Sequence, residues 1–236
     1  MSSDLLTGLN LLREWVLKMN RKVTLFVIAD QLDQPLFVKA VNDLIHTGHC
    51  TIGVHGMTHR CWSAYPPDPT TFIEEIGRAM IELGDLFGDS FRPWFRAPAG
   101  YIAPWMAKPL AELGVTVDSS INPSPLLGLF KSGGSGWNRV EYAISESGIV
   151  ERPWRTTGRG LFRIPTCGPA QHIPLLKYIA RRSWRKLSYI PDACESEIED
   201  SSVQLDTVYW HAKDHTRYST HWYPPISACS SALIEK

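Results

Sequence analysis

No stretch of this 236-residue chain approaches the roughly twenty apolar residues that a bilayer span requires; the longest strongly apolar run is Val23–Ala29. Excess charge of either sign is missing as well. Lys plus Arg and Asp plus Glu number 24 each, so net charge gives no argument for nucleic acid as a partner. Five cysteines (Cys50, Cys61, Cys167, Cys194, Cys229) form no CxxC pair and are odd in number. They support neither a disulfide framework nor a cysteine zinc site. The N-terminus lacks the basic-then-apolar order of a secretory signal, and no fixed-period repeat is present. These absences favour a reduced, cytoplasmic protein without a transmembrane segment. A hydrophobic fraction of 44% and a charged fraction of 20% are ordinary for a globular chain of a size that buries one substantial core.

What is present is an alternation of helix and short strand. Leu5, Leu9, Leu12, Trp15, Val16 and Met19 follow helical spacing, with Ser3 or Asp4 placed to cap the start. Val23–Ala29 reads as a buried parallel strand. A second helix over Leu36–Ile45 and a strand Thr51–Val54 follow. Then come a helix over Phe72–Leu86, a strand Pro93–Arg96, a helix Met106–Leu113 and a strand Val115–Asp118. Such an order implies a parallel sheet with helices outside it. Beyond Asp118 the pattern loosens. Asn122–Pro125 and Lys131–Gly136 read as loops, Gly148–Val150 and Leu161–Pro165 as short strands, and Cys194–Ser202 as an acidic linker. Ile173–Leu187 is expected to be a helix with Ile173, Leu176, Ala180, Trp184 and Leu187 inward and Lys177, Arg181 and Arg185 outward. That basic face reads first as a solvated surface and second as a contact for anionic lipid or phosphate. Thr207–His211 is read as a further strand, and the last twenty residues as a loose tail.

The densest chemical signal is His55-Gly-Met-Thr-His59, directly after an apolar strand. Two histidines at i and i+4 on one helical turn can aim ring nitrogens at one metal ion. A Glu beside the first His, which a zinc peptidase of the HExxH type carries, is missing. Taken alone, the pair is equally read as surface or core histidines. Yet the other proposed strand ends deliver Arg96, Asp118 and His211, and strand ends are where parallel α/β folds place chemistry.

In that order, His55–His59, Phe95-Arg-Ala-Pro-Ala-Gly-Tyr101, Asp118-Ser-Ser120 and Tyr209-Trp-His211 resemble the polysaccharide deacetylase family, the fourth family of carbohydrate esterases with the nodulation-type chitooligosaccharide deacetylases. The resemblance spans about Asp4 to His211. It implies a distorted (β/α) barrel over residues 1–211, with 212–236 as a C-terminal tail. It also implies one divalent metal, zinc foremost, held by one Asp and two His. Thr24-Leu-Phe26 resembles the strand that follows the family's T-F-D-D-G motif, which puts Asp4 at the metal-binding Asp and Ser3 at the base. A slip of one residue makes Asp4 the base instead. On either alignment the first strand of the barrel is largely missing from the chain.

The roles implied are those of an amide hydrolase. Asp4, His55 and His59 would hold the metal, which polarises the acyl carbonyl. A carboxylate would take the proton of the attacking water, with Arg96 keeping it ionised. Amide groups near Ala99 would stabilise the oxyanion, with Tyr101 also facing the substrate. His211 would protonate the leaving amine, oriented by Asp118. The implied substrate is an N-acyl, foremost N-acetyl, amino sugar in a glycan or a lipid-linked saccharide. The competing expectation is a degenerate relative that binds glycan or a partner without turnover. Trp94, Trp105 and Trp210 flank the motifs and are read either as a sugar groove or as core indoles.

Overall fold

The computed structural model describes residues 3–188, 190–218 and 221–227, with Leu161 described by its backbone alone. Its first half repeats one unit. Helix α1 (Ser3–Met19) leads to β1 (Val23–Val27), α2 (Pro35–Ile45) to β2 (Cys50–Val54), and α3 (Pro69–Phe87) to β3 (Phe91–Phe95). Then follow α4 (Ala107–Glu112), β4 (Val117–Asp118), α5 (Pro125–Lys131), α6 (Trp137–Glu146) and β5 (Val150–Glu151). The five strands lie in sequence order and every neighbouring pair is parallel. This is the α/β architecture that the helix–strand alternation predicts. Among the described residues the sheet is open, with β1 at one edge.

Register assigns each side chain to a face. Partners across β3 and β4 are Trp94 with Val117 and Phe95 with Asp118, and partners in a parallel ladder share a face. Ile52, Val54 and Phe95 turn toward the helices, where Phe72, Ile76 and Leu83 of α3 are buried. The Phe72 and Phe95 rings meet edge to face at 6.3 Å. On the inner face, Thr24, Phe26, Thr51, Trp94, Arg96 and Ser119 adjoin a cavity of 480 Å³. Gly53 is required there, because a Cβ would stand 2.7 Å from the Phe26 ring. The Val23 N–H donates to His49 and the Val27 carbonyl accepts from His55. The alternate amides of Thr24 and Phe26 therefore face away from β2, on the cavity side.

The second half departs from expectation. The segments read as loops, Asn122–Pro125 and Lys131–Gly136, are non-helical but for Pro125 and Lys131. α5 and α6 lie between and after them, in stretches where the sequence pattern shows no element, and Trp137, Val140 and Ile144 join the main core. The strand expected at Leu161–Pro165 shrinks to β7 (Ile164–Pro165), antiparallel to β6 (Thr156–Thr157). Helix α7 (Leu176–Arg185) is shorter than its predicted span; Ala180, Trp184 and Leu187 are buried as expected, whereas Ile173 lies ahead of the helix and is exposed. The acidic linker contains α8 (Glu195–Glu199). Its carbonyls and neighbours receive the Arg152 guanidinium, and Glu199 accepts from the Trp94 indole at 2.9 Å. The Thr207–His211 strand reduces to a single bridge between Thr207 and Trp154. Nor is the chain from 212 onward a loose tail throughout. Residues 212–216 pack on α1, and a Cβ at Gly8 would collide with the Ala212 carbonyl. Trp222 is buried as well, whereas residues 228–236, Cys229 among them, lie outside the described residues.

Between the sheet and its helices, Asp118 and Glu151 are register partners on β4 and β5. Burial raises the pKa of Asp118; burial and then the neighbouring Asp118 charge raise that of Glu151 well above the usual carboxylate range. The Glu151 Oε2 finds no partner. A carboxyl raised in the folded state costs stability as pH climbs from its unfolded value through its folded one. Glu151→Gln should therefore raise stability by at least ~1 kcal/mol at pH 8 and change it little at pH 4. Urea unfolding at the two pH values tests this; an equal or negative change at pH 8 would contradict the shared buried charge.

Candidate active site

The hydrogen-bond ladder runs one residue past each strand. His55 N–H donates to Val27 at 2.8 Å, Arg96 N–H to Val54 at 3.0 Å, Ser119 N–H to Phe95 at 2.9 Å and Arg152 N–H to Asp118 at 2.8 Å. His55, Arg96, Ser119 and Arg152 are thereby brought to one edge of the sheet by backbone geometry alone. The expected helical turn at His55–His59 is absent, since residues 55–60 are irregular. Gly56, at φ 97°, turns the chain so that the two imidazoles still meet, with centroids 5.3 Å apart.

His55 Nδ1 lies 2.6 Å from the Arg96 carbonyl. As a donor to that oxygen it leaves the Nε2 lone pair free, the arrangement that holds a metal-ligating imidazole in place. Burial lowers the His55 pKa to about 3, so the ring is neutral across the physiological range. The Arg96 guanidinium donates to the Ser119 carbonyl and hydroxyl, both at 2.9 Å, and stacks 4.3 Å over Phe26 and 5.2 Å over Tyr209. Burial pulls its pKa down to about 10. No carboxylate ion-pairs with it among the described residues, contrary to its expected place beside a base. Ala99 is exposed at φ 52°, a left-handed conformation, and its carbonyl accepts from Lys131, whose Nζ lies 5.5 Å over the Tyr101 ring. The loop of Ala99 and Tyr101 is therefore pinned by a cation that the sequence reading did not single out.

His211 is exposed, and its charge is felt at His55. Asp118, its expected partner, instead accepts from the Ser120 hydroxyl at 2.6 Å and its N–H at 3.1 Å, on the helix side of the sheet. The carboxylate that meets His211 is Asp214. It accepts the His211 backbone N–H at 2.9 Å and lies 3.6 Å from the ring Nδ1. Asp214 is buried, and it also meets His172 at 3.3 Å and Arg217 at 2.7 Å. Burial opposes its ionisation, but the hydrogen bonds from His211 and the charges of His172 and His211 outweigh that, holding its pKa below the usual carboxylate range. The i, i+3 spacing to His211 was the available signal, and a carboxylate capping a short turn has that spacing.

Trp94 is a core residue, 2% exposed, that adjoins the inner-face cavity. Trp105 packs on Phe72 at 5.4 Å, and Trp210 stacks edge-on to Trp15 and Trp184. As to a metal, the two imidazoles suit a borderline ion such as zinc. The carboxylate does not join them. Asp4 sits exposed in the first turn of α1, and no three His, Cys, Asp or Glu side chains cluster into a metal-binding group among the described residues.

With strand ends, histidine pair and Arg loop in this arrangement, the polysaccharide deacetylase family model matches residues 12–117. Residues 12–117 are a polysaccharide deacetylase family domain. The domain thus runs from within α1 to β4 and contains His55, His59, Arg96, Ala99 and Tyr101. The peptidoglycan deacetylase of Helicobacter pylori is 23% identical over 208 residues, 84% of this chain. The chain spans 65% of that protein's length. Among solved structures, a polysaccharide deacetylase homologue from Mycobacterium smegmatis superposes with a TM-score of 0.55 at 19% identity, covering 91% of this chain and 67% of the other. That likeness is one of fold.

Asp214 gives the deacetylase domain's C-terminal flank a pH signature. Because its folded pKa is depressed, its stabilisation is complete above the unfolded value, about 3.9, and drains away as pH falls below it. Asp214→Asn should cost ~2–4 kcal/mol at pH 7 and about 1 kcal/mol less at pH 3. Denaturant titrations at both values check this, and an equal loss at each would show that the charge contributes nothing.

Proposed function

We propose that the chain is a hydrolase that removes an N-acyl group, foremost N-acetyl, from an amino sugar of a glycan. The observation that carries this reading is the pairing of two features across one site. His55 and His59 stand together at the end of β2, with His55 oriented by the Arg96 carbonyl. His211 stands on the other side with Asp214 behind it. The family of residues 12–117 and the peptidoglycan deacetylase relative favour a carbohydrate substrate. A divalent ion, if bound at the two imidazoles, would supply Lewis-acid polarisation of the acyl carbonyl.

The chain's own residues do the rest. His211, held by its backbone N–H on Asp214, is positioned to give a proton to the leaving amine. Asp214, ionised at neutral pH, favours the charged imidazolium that must form during that transfer. The exposed Ala99–Tyr101 loop faces the acyl and sugar groups, and Lys131 adds a positive charge beside it. Arg96, engaged with Ser119, orients His55 through its carbonyl rather than touching a base. A second reading, binding of glycan without turnover, is favoured by the absence of a carboxylate beside His55 and His59 among the described residues.

Acetate release from chitooligosaccharide or peptidoglycan strands, measured beside zinc content, separates the two. Turnover predicts about one zinc per chain, lost in His55→Ala, and a 10²–10⁴-fold fall in rate for His211→Ala. Glycan binding with no acetate released by the zinc-loaded protein would establish the second reading and overturn the first.

A further inference from the structure

The run from Arg152 to Pro191 contains nine of the chain's 24 Lys and Arg residues and not one Asp or Glu. In a chain with no net charge this is a marked segregation. Some of these cations are used inside the fold: Arg152 serves carbonyls around α8, and Arg155 pairs with Asp206. Those on α7 are not. Arg182, Arg185 and Lys186 are exposed, and no carboxylate ion-pairs with them among the described residues.

The same helix face carries large apolar side chains. Leu175 is 80% exposed, Tyr178 69% and Ile179 43%. Positions 178, 179, 182, 185 and 186 recur at helical spacing, so they form one stripe, apolar at the start and basic toward the end, with the exposed Leu175 just ahead of it. The opposite stripe, Ala180, Ser183, Trp184 and Leu187, is buried. Leu175, just ahead of the helix, is held at φ 69°, a conformation a leucine seldom adopts. Isolated exposed apolar residues need no explanation, but a contiguous stripe beside cations that no carboxylate pairs among the described residues does.

We propose that this face of α7 docks on an anionic lipid surface, with Leu175, Tyr178 and Ile179 entering the headgroup–acyl boundary and Arg182, Arg185 and Lys186 meeting lipid phosphates. Charge complementarity selects an anionic partner. The aliphatic side chains select lipid over nucleic acid, which offers them no apolar phase to enter. Docking leaves the deacetylase site accessible, because only the inner face of α7 packs toward it, through Trp184 against Trp210 at 6.0 Å. The inference is independent of turnover.

The test is flotation of the full chain with vesicles of phosphatidylcholine, with and without phosphatidylglycerol. Binding should require phosphatidylglycerol and be released by high salt. Replacing Arg182, Arg185 and Lys186 together by Gln should weaken it roughly 100-fold. Replacing Leu175, Tyr178 and Ile179 together by Ser should also abolish flotation, with an unchanged circular dichroism spectrum for each triple variant. Equal binding to neutral vesicles, no salt effect on the wild-type chain, indifference to either triple variant, or tighter binding to single-stranded DNA than to anionic vesicles would each overturn the proposal.

Discussion

The half of the site that carries His55 and Arg96 depends on a parallel hydrogen-bond ladder that does not stop where the strands stop, and the rest of the fold is arranged on that ladder. Because all five strands run one way, their carboxyl ends share an edge, and the extra rung beyond each strand fixes the next residue's backbone. His55, Arg96, Ser119 and Arg152 occupy those rungs. Their side chains then inherit the inner face by alternation, with Phe95, Asp118 and Glu151 forced to the helix side. A one-residue slip would exchange the two sets, burying histidine and arginine under the helices. The apolar packing of Phe72, Ile76, Leu83 and Phe95 is what opposes that slip. The core fixes the register, and the register fixes the chemistry.

The charges on the two faces follow from the same assignment. On the inner face a cation, Arg96, is satisfied by Ser119 and by aromatic faces instead of a carboxylate. On the helix side two carboxyls share one buried place and resist ionising together. Asp118 was expected to serve His211, and the alternation of side chains explains why it does not. It lies on the face that Phe95 occupies. The local answer is Asp214, which reaches His211 through a turn of three residues and needs no strand at all.

The sequence made the first half of the fold legible because continuous apolar runs alternate there with helical spacing, from Leu5 to Asp118. His55 and Arg96 were legible for a further reason: each directly follows such a run, and His59 stands four residues beyond His55. α5 and α6 were not, since Pro125, Gly128 and the glycines of Lys131–Gly136 mask helices that exist through burial of Trp137, Val140 and Ile144. The inward face of α7 was legible from Ala180, Trp184 and Leu187; Ile173 was misplaced because it and Leu175 belong to an irregular turn ahead of the helix. Asp214 lacks an apolar run beside it, and only its i, i+3 spacing to His211 marked it. The metal carboxylate inferred at Asp4 rested on resemblance alone, and among the described residues no group of three metal-ligating side chains joins it to the histidines.

The site is consequently held by two different kinds of force. The His55 half rests on the ladder, where each backbone group has a fixed partner. The His211 half has one bridge, Thr207 to Trp154, a backbone bond from the Gly168 N–H to the Tyr209 carbonyl, and otherwise largely ring packing. Tyr209 lies 4.2 Å from Trp154, Trp210 stacks 5.4 Å from Trp15, and its indole N–H donates to His215 at 2.9 Å. Ring packing is strong in sum but lacks the directional constraint of a ladder. The helix α1 thus acts where a neighbouring strand would, gripping the segment from outside through Trp15 and through the close approach at Gly8. Of the two halves, the arm bearing His211 is the one with fewer backbone bonds to break, and local opening of the fold begins there.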